Sequence, residues 1–179
     1  YCAYGNANIV RFDTCGEFKN PESWELRNVD HTGGLRTTGF DCGFFDGRFV
    51  YFQPFFLSEE DGANRFHSHY LRYDPSRPFG DAASWQSYDA STTDGLPSVG
   101  YNGGAFDGRY FYAAPWQQGP RPERSGEFIT HGIVLRCDTL GESGAFSLRY
   151  GDLGHNGGLN AAAPGPSFLV NTDRGALSV

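Results

Sequence analysis

Apolar and polar residues alternate in short runs along the chain, and no run has helical spacing. In Arg109–Ala113, Tyr110 and Tyr112 fall on one side of an extended chain, whereas Phe111 and Ala113 fall on the other. Turn residues, mostly glycine with aspartate, separate such runs. The pattern therefore predicts an all-β protein made of short antiparallel strands.

Two ten-residue stretches of the chain are nearly identical. GFFDGRFVYF begins at Gly43 and GAFDGRYFYA begins at Gly104, 61 residues further on. The similarity continues on both sides, so that residues 34–89 match residues 95–152. Self-similarity at a fixed period indicates a structure built from repeated supersecondary units.

The N-terminal residues match only the second half of this unit. Ser23-Trp24, for example, precedes the matching Ser84-Trp85 by the same 61 residues. The sequence therefore predicts four segments: half a unit at 1–30, a full unit at 31–90, a second full unit at 91–153, and a different segment at 154–179.

Each full unit is predicted to contain four strands. Asp-Gly turns separate the first strand from the second, the third covers His131–Cys137 in the later unit, and the fourth covers Gln86–Asp89 in the earlier one. One such sheet cannot bury both of its apolar faces, so neighbouring units must stack on each other. The predicted fold class is all-β, a partial β-propeller of two full four-stranded blades plus half a blade.

The repeated unit also resembles a known family. Leu-Arg-Tyr-Asp-Pro at 71–75, followed by Trp85 and by Gly103-Gly104 in the next copy, is similar to kelch-type propeller repeats. The resemblance covers about 150 residues of the chain. It implies a propeller that binds proteins or sugars, or in a few cases an enzyme, so the fold alone does not decide the function.

The repeat pattern ends after Asp152. A linker-like segment at 161–166 is followed by a strand-turn-strand pattern at 167–179. This hairpin is similar to an early hairpin of laminin-G-like or concanavalin-like lectin domains, and the alternative is a degenerate next blade. Since two and a half blades cannot close a ring of about four to eight, we expect a fragment of a larger chain whose unpaired blade edges favour self-association.

Composition and charge narrow the range of partners. The net charge of −7 argues against a nucleic-acid or anionic-membrane partner, and no apolar run approaches the roughly 20 residues of a spanning helix. Low Lys content and four cysteines favour a secreted or extracellular protein. The cysteines lack metal-ligand spacing and allow three disulfide pairings, so no metal and no cofactor are predicted.

The repeated acidic and histidine residues are interpreted as structural. Asp46 and Asp107 each precede a turn glycine, where an aspartate side chain accepts backbone hydrogen bonds. His67 and His69 could place two imidazoles on one strand face for a metal. Because His67 matches His131, a hydrogen bond to a neighbouring loop is the favoured interpretation.

The long loops between the second and third strands carry the binding hypothesis. They span 55–66 and 116–130, and loops on a rigid scaffold are common binding sites. The candidate ligand-binding residues are Phe55, Trp116, Gln117 and Gln118, because an aromatic face beside amides suits a sugar. The alternative is that the two aromatics pack their loops onto their own blades. The prediction is a non-catalytic scaffold for a glycan or protein ligand, and the alternative is a fragment of a glycosidase with inward-facing carboxylates.

Overall fold

The computed structural model describes residues 5–57, 65–120, 128–140, 149–152, 169–171 and 176–178. Regular structure in these ranges consists of β-strands and three-residue 3-10 turns, without an α-helix. The strands are β1 (Asn8–Phe12), β2 (Trp24–Asn28), β3 (Phe40–Phe45), β4 (Val50–Pro54), β5 (His69–Tyr73), β6 (Trp85–Asp89), β7 (Tyr101–Phe106), β8 (Tyr110–Pro115), β9 (Gln117–Pro120), β10 (Phe128–Thr130), β11 (Ile133–Asp138), β12 (Arg149–Asp152), β13 (Leu169–Asn171) and β14 (Ala176–Ser178).

Ten of these strands form three successive sheets. The first sheet is the hairpin β1-β2, the second has the order β3-β4-β5-β6, and the third has the order β7-β8-β11-β12. Every pairing is antiparallel. The prediction of an all-β chain with antiparallel sheets is therefore confirmed, and the second and third sheets have the same strand order.

Several boundaries differ from the predicted ones. The third strand of the third sheet begins at Ile133 rather than His131 and ends at Asp138. The long loop of that sheet contains the two-stranded ribbon β9-β10, which was not predicted. Near the C-terminus, β13 pairs with β14 in register from Leu169 with Ser178, as the strand-turn-strand pattern predicts.

The Asp-Gly turns are centred one residue later than predicted. The N–H of Asp46 donates to the carbonyl of Phe49 at 3.2 Å, so Gly47 and Arg48 occupy the centre of the turn. Gly47 has φ +95°, in the region that favours glycine. The Asp46 carboxylate accepts from the N–H groups of Arg48 and Phe49 at 2.7 and 2.6 Å, which holds the turn closed.

Two apolar layers hold the three sheets together. The layer between the first and second sheets consists of Ala7, Ile9, Val29, Phe40, Phe52, Leu71, Tyr73, Phe79 and Trp85. The layer between the second and third sheets consists of Phe49, Tyr51, Tyr70, Ala90, Tyr101, Phe111, Ala113, Leu135 and Cys137. Each sheet is therefore covered on one or both faces by its neighbours, as the stacking hypothesis requires.

A column of aromatic rings crosses the second layer. Phe44 on β3 stacks on Tyr51 at 4.4 Å and on Phe111 of β8 at 4.1 Å, with interplanar angles of 1° and 11°. Phe111 and Ala113 face this layer whereas Tyr110 and Tyr112 face away from it, as their alternation predicts. Stacked rings contribute about 0.5–1.5 kcal/mol each beyond the burial of their area.

In the ranges that the structure describes, no helix is long and apolar enough to span a bilayer.

Candidate functional site

The long loops of the second and third sheets leave their strands in the same way. After β4, the N–H of Phe55 donates to the carbonyl of Gly39 at 3.0 Å. After β8, the N–H of Trp116 donates to the carbonyl of Gly100 at 3.1 Å. The two glycines therefore fix where each loop begins.

Both of these glycines are required by a close approach of two backbone segments. Gly39 has φ +63° and Gly100 has φ +75°. A Cβ at Gly39 would lie 1.5 Å from the carbonyl oxygen of Phe56, and one at Gly100 would lie 1.3 Å from that of Gln117. Neither loop could adopt this position with any other residue at the glycine.

The anchoring brings one aromatic from each loop together. Trp116 stacks on Phe55 with the ring centroids 5.3 Å apart and an interplanar angle of 12°. Phe55 is 4% exposed, whereas Trp116 is 43% exposed. Phe55 therefore supports Trp116 from below, and Trp116 presents an aromatic surface to solvent.

Two further aromatic rings extend this arrangement. Phe66 packs against Phe55 at 5.1 Å and meets Phe128 of β10 edge to face at 5.7 Å. The guanidinium of Arg65 lies 4.8 Å from the Phe128 ring centroid, within the range of a cation–π contact. Together Phe55, Phe66, Trp116 and Phe128 form what we call the aromatic shelf.

The shelf draws on both long loops. An isolated pairing of Phe56 with Phe66 and a hydrogen bond from Leu57 N–H to Arg65 O at 2.7 Å close the base of the first loop. The β9-β10 ribbon forms the base of the second loop. The acidic residues Glu59, Glu60 and Asp61 lie outside the described residues.

The four predicted ligand-binding residues have different roles. Trp116 is exposed and Phe55 is buried beneath it, while Gln117 and Gln118 are half-buried on β9 directly after Trp116. The Gln118 amide donates to the Pro97 carbonyl at 3.3 Å, which steadies the ribbon against the turn before β7. Phe66 and Phe128 were not predicted as site residues from the sequence, although Phe66 directly precedes a repeated histidine.

Both ring nitrogens of His67 form hydrogen bonds with backbone groups. Its Nδ1 accepts from the N–H of His69 at 3.3 Å, so its proton lies on Nε2, which donates to the carbonyl of Thr38 at 3.1 Å. Burial, with a smaller contribution from His69, lowers the pKa of His67 to about 3. The prediction that His67 hydrogen-bonds a neighbouring loop is confirmed.

His131 occupies the matching position in the third sheet. Its N–H donates to the carbonyl of Trp116 at 3.3 Å, which ties the base of β11 to the aromatic shelf. Its ring meets Tyr101 edge to face at 5.3 Å, and burial lowers its pKa. Neither ring nitrogen has a hydrogen bond of normal geometry within the described residues, although the Val99 and Gly100 carbonyls face the ring.

The repeated aspartates serve the strand ends. Asp107 accepts from the N–H groups of Arg109 and Tyr110 at 2.9 and 2.6 Å, and these bonds lower its pKa. The Asp74 carboxylate caps the turn after β5 by accepting a hydrogen bond from the backbone N–H of Ser76 at 3.0 Å. The interpretation of the repeated aspartates as structural is confirmed, and Asp138, at the end of β11, pairs with Arg109 at 2.9 Å.

The carboxylates and histidines do not converge. Within the described ranges, no group of three or more His, Cys, Asp or Glu side chains has the geometry to hold a metal ion. Asp81, one of the acidic residues that lack a repeated partner, caps the turn before β6 by accepting from Ala83 N–H at 3.0 Å. The described part of the site is therefore aromatic and amide in character rather than acidic.

Comparison with known proteins gives no relative. No protein-family model, no curated protein and no solved structure matches this chain.

Proposed function

We propose that this chain is a binding scaffold of the β-propeller type and that its aromatic shelf binds carbohydrate. The three sheets are interpreted as consecutive blades, because the second and third share one strand order and stack face to face. The kelch-type and lectin-like resemblances and an extracellular location are part of this proposal and rest on the sequence.

One observation carries the carbohydrate assignment, namely the exposed Trp116 ring stacked on the buried Phe55 ring. The face of an aromatic ring has a negative quadrupole, so it attracts the weakly positive C–H groups on one face of a sugar ring. Because Phe55 fixes the orientation of Trp116, little side-chain entropy is lost when a ligand binds. Gln117 and Gln118 follow on the same ribbon and could offer amides to sugar hydroxyls.

The scaffold supports this assignment by its rigidity. Two close backbone approaches, at Gly39 and at Gly100, hold the shelf in place, and we call them the glycine crossings. The hydrogen bond from the His131 backbone N–H to Trp116 also holds it, so that all three contacts use backbone atoms. Binding sites on loops gain affinity when the loop is already ordered in the bound form. The acidic composition of the chain also suits an uncharged ligand better than a polyanion.

A glycan array probed with the labelled chain tests this proposal, followed by calorimetric titration with the glycan that binds best. Trp116→Ala should weaken binding about tenfold or more, as for a central aromatic contact. Trp116→Phe, which keeps a smaller ring, should lose less. Phe45→Ala is the matched control, because Phe45 is 54% exposed on β3, outside the shelf.

Three results would overturn the carbohydrate assignment. The first is a wild-type chain that binds no glycan, and the second is a Trp116→Ala variant that binds as tightly as the wild type. Equal losses in the Trp116→Ala and Phe45→Ala variants would also contradict it, because they would show that the shelf is not the site.

A further inference from the structure

The same group of three aromatic rings occurs twice in the structure. In each case one ring ends a strand, a second lies in the following turn, and a tryptophan begins the next strand and donates its indole N–H to the carbonyl of the second. The tail triad is Phe12, Phe18 and Trp24, and the inner triad is Tyr73, Phe79 and Trp85.

The geometry of the two triads is nearly identical. Ring centroids lie 4.6 to 5.5 Å apart in the tail triad and 4.6 to 5.4 Å apart in the inner triad. The indole hydrogen bonds are 2.8 and 2.9 Å long. The two triads are therefore equivalent local structures in the first and second sheets.

Their exposure to solvent is very different. Each ring of the inner triad is at most 4% exposed, whereas Phe18 in the tail triad is 70% exposed. Leu26, on β2 beside the tail triad, is 68% exposed. The tail triad and Leu26 together form an apolar surface on the first sheet, which we call the tail surface.

The structure shows what covers such a triad. The β1-β2 hairpin lies over the inner triad and places the Arg11 guanidinium 5.1 Å from the Phe79 ring centroid and that of Arg27 5.8 Å from the Trp85 ring. Arg11 also donates to the Tyr73 hydroxyl at 2.8 Å. The cover is thus a pair of β-strands that presents arginine to aromatic faces.

The third sheet carries an arginine at the equivalent strand position on its outward side. Arg136 on β11 is equivalent to Arg11 on β1 and to Arg72 on β5. In the second sheet, this position directly precedes Tyr73 of the inner triad. Its guanidinium lies 4.5 Å from the Tyr110 ring, as that of Arg72 lies 4.3 Å from the Phe49 ring in the second sheet.

The residue opposite the repeated arginine differs among the three sheets. Arg136 lies opposite Arg149 on β12, whereas Arg11 lies opposite Glu25, to which it is paired, and Arg72 lies opposite Gln86. We call the face with Arg136 and Tyr110 the head surface. Both residues are half-buried within one copy, and the Arg136 guanidinium complements aromatic ring faces.

We propose that the head surface of one copy of this chain docks on the tail surface of a second copy, so that the stacking of sheets continues from one molecule into the next. The contact is head to tail, because the tail surface offers aromatic rings and the head surface offers Arg136, the positional equivalent of the Arg11 that covers such a ring inside the molecule. Contacts of this kind join different surfaces of the two copies and can close into rings. Docking does not depend on carbohydrate binding at the aromatic shelf.

Sedimentation velocity and light scattering of the wild-type chain, over a wide range of concentration, form the first part of the test. We expect the mass to rise above that of the monomer as concentration increases. Phe18→Lys blocks the tail surface and Arg136→Glu blocks the head surface, and each should weaken self-association about tenfold or more. Phe18 is largely exposed, so its replacement should leave the thermal unfolding curve nearly unchanged.

Mixing the two variants is the decisive measurement. The Phe18→Lys copy retains an intact head and the Arg136→Glu copy an intact tail, so the mixture should form a one-to-one complex although neither variant associates alone. Phe45→Lys, on β3 outside both surfaces, should behave as the wild type does. The Phe18→Lys, Arg136→Glu and Phe45→Lys variants should all retain glycan binding, because none of these residues belongs to the aromatic shelf. This test can therefore be distinguished from the test of carbohydrate binding, which uses variants of Trp116.

Three outcomes would overturn the proposal. A wild-type chain that stays monomeric at every concentration shows that the tail surface is not covered by a second copy. A mixture that forms no complex excludes the head-to-tail contact. An Arg136→Glu variant that associates normally, while Phe18→Lys does not, indicates a contact of the tail surface with itself.

Discussion

The second and third sheets are built alike, yet they differ in what they expose. Both have the same strand order, both close their first turn with an aspartate, and both begin their long loop at a glycine crossing. At the first position of that loop, however, the second sheet has the buried Phe55 and the third sheet has the exposed Trp116. Residues that the backbone geometry requires are thus the same in both sheets, and residues that meet solvent are different.

The difference follows from the order of stacking. The second sheet has a neighbour on each side, and Phe55 is covered by the ring of Trp116 from the third sheet. The third sheet packs against the second through the layer that contains Phe111 and Leu135. Equivalent positions therefore acquire different environments, and each environment predicts a different response to substitution.

The largest effect is expected at the layer between the two sheets. Phe111→Ala removes a ring that is 2% exposed and stacked on Phe44, so it should lower the free energy of unfolding by about 3–5 kcal/mol. Val50→Ala, at the matching position of the second sheet, removes two methyl groups from a half-buried side chain and should cost about 1–2 kcal/mol. Urea unfolding measures both.

Equal losses from these two substitutions would contradict the assignment of Phe111 to the central layer. A loss below about 1 kcal/mol for Phe111→Ala would show that the second and third sheets do not depend on each other for stability.

The next effect concerns the glycine crossings, where the two sheets are expected to respond alike. Gly100→Ala places a methyl group against the backbone of Gln117, so it should cost about 1–3 kcal/mol beyond the strain of a positive φ. Gly39→Ala should cost as much. Gly103→Ala is the control, because Gly103 has φ +74° with no atom within 4 Å of the added Cβ, and only the strain of about 1–2 kcal/mol applies.

The midpoints of thermal unfolding for the three alanine variants provide the comparison. If Gly100→Ala and Gly103→Ala were equally stable, the close approach of the loop to Gly100 would be wrong, and with it the placement of Trp116.

The histidines give an intermediate effect that depends on pH. The folded-state pKa of His67 is about 3, and the unfolded-state value is about 6.5, so the unfolded chain binds the proton first as the pH falls. Stability is therefore full above pH 7 and is lost as the pH falls below about 6.5. By pH 5 the loss due to this residue should reach about 2 kcal/mol.

Unfolding in urea at pH 7, 6 and 5 measures this loss. His67→Gln should remove most of the slope, and His131→Gln should remove a part, because burial lowers the pKa of His131 as well. His31→Gln is the matched histidine control, because the His31 side chain is 71% exposed. A slope that His67→Gln does not reduce would mean that folding does not lower the pKa of His67.

The sheets could be predicted from the sequence because local patterns specify them. Alternation at Arg109–Ala113 placed Phe111 and Tyr110 on opposite faces of a strand, and the recurring Asp-Gly pairs marked turns. Trp116 was predicted as a ligand-binding aromatic, with packing of its loop onto the blade as the alternative, and the structure shows its side chain 43% exposed. Strand ends were less certain, because β11 starts at Ile133, just after His131 donates a hydrogen bond back to the start of the same long loop at Trp116.

The aromatic shelf could be predicted only in part. Its other members, Phe66 and Phe128, come from loop segments of different length and sequence, and nothing in the repeat relates them. The burial of Phe55 under Trp116 is a contact between two sheets, and neither sheet's own sequence pattern contains it. The exposure of the tail triad could not be predicted either, because its sequence matches that of the inner triad, which is buried.

The smallest effect on stability is expected at the point where the two sheets differ most. Trp116→Ala leaves the backbone hydrogen bonds to Gly100 and His131 in place, so only the stacking on Phe55 is lost, at a cost of about 1 kcal/mol. Phe45→Ala, which removes another exposed ring, should cost less than about 0.5 kcal/mol. Both values come from urea unfolding at pH 7. A loss for Trp116→Ala as large as that for Phe111→Ala would mean that Trp116 belongs to the core. Because the shelf would then have no exposed ring to offer a ligand, the carbohydrate proposal would fail with it.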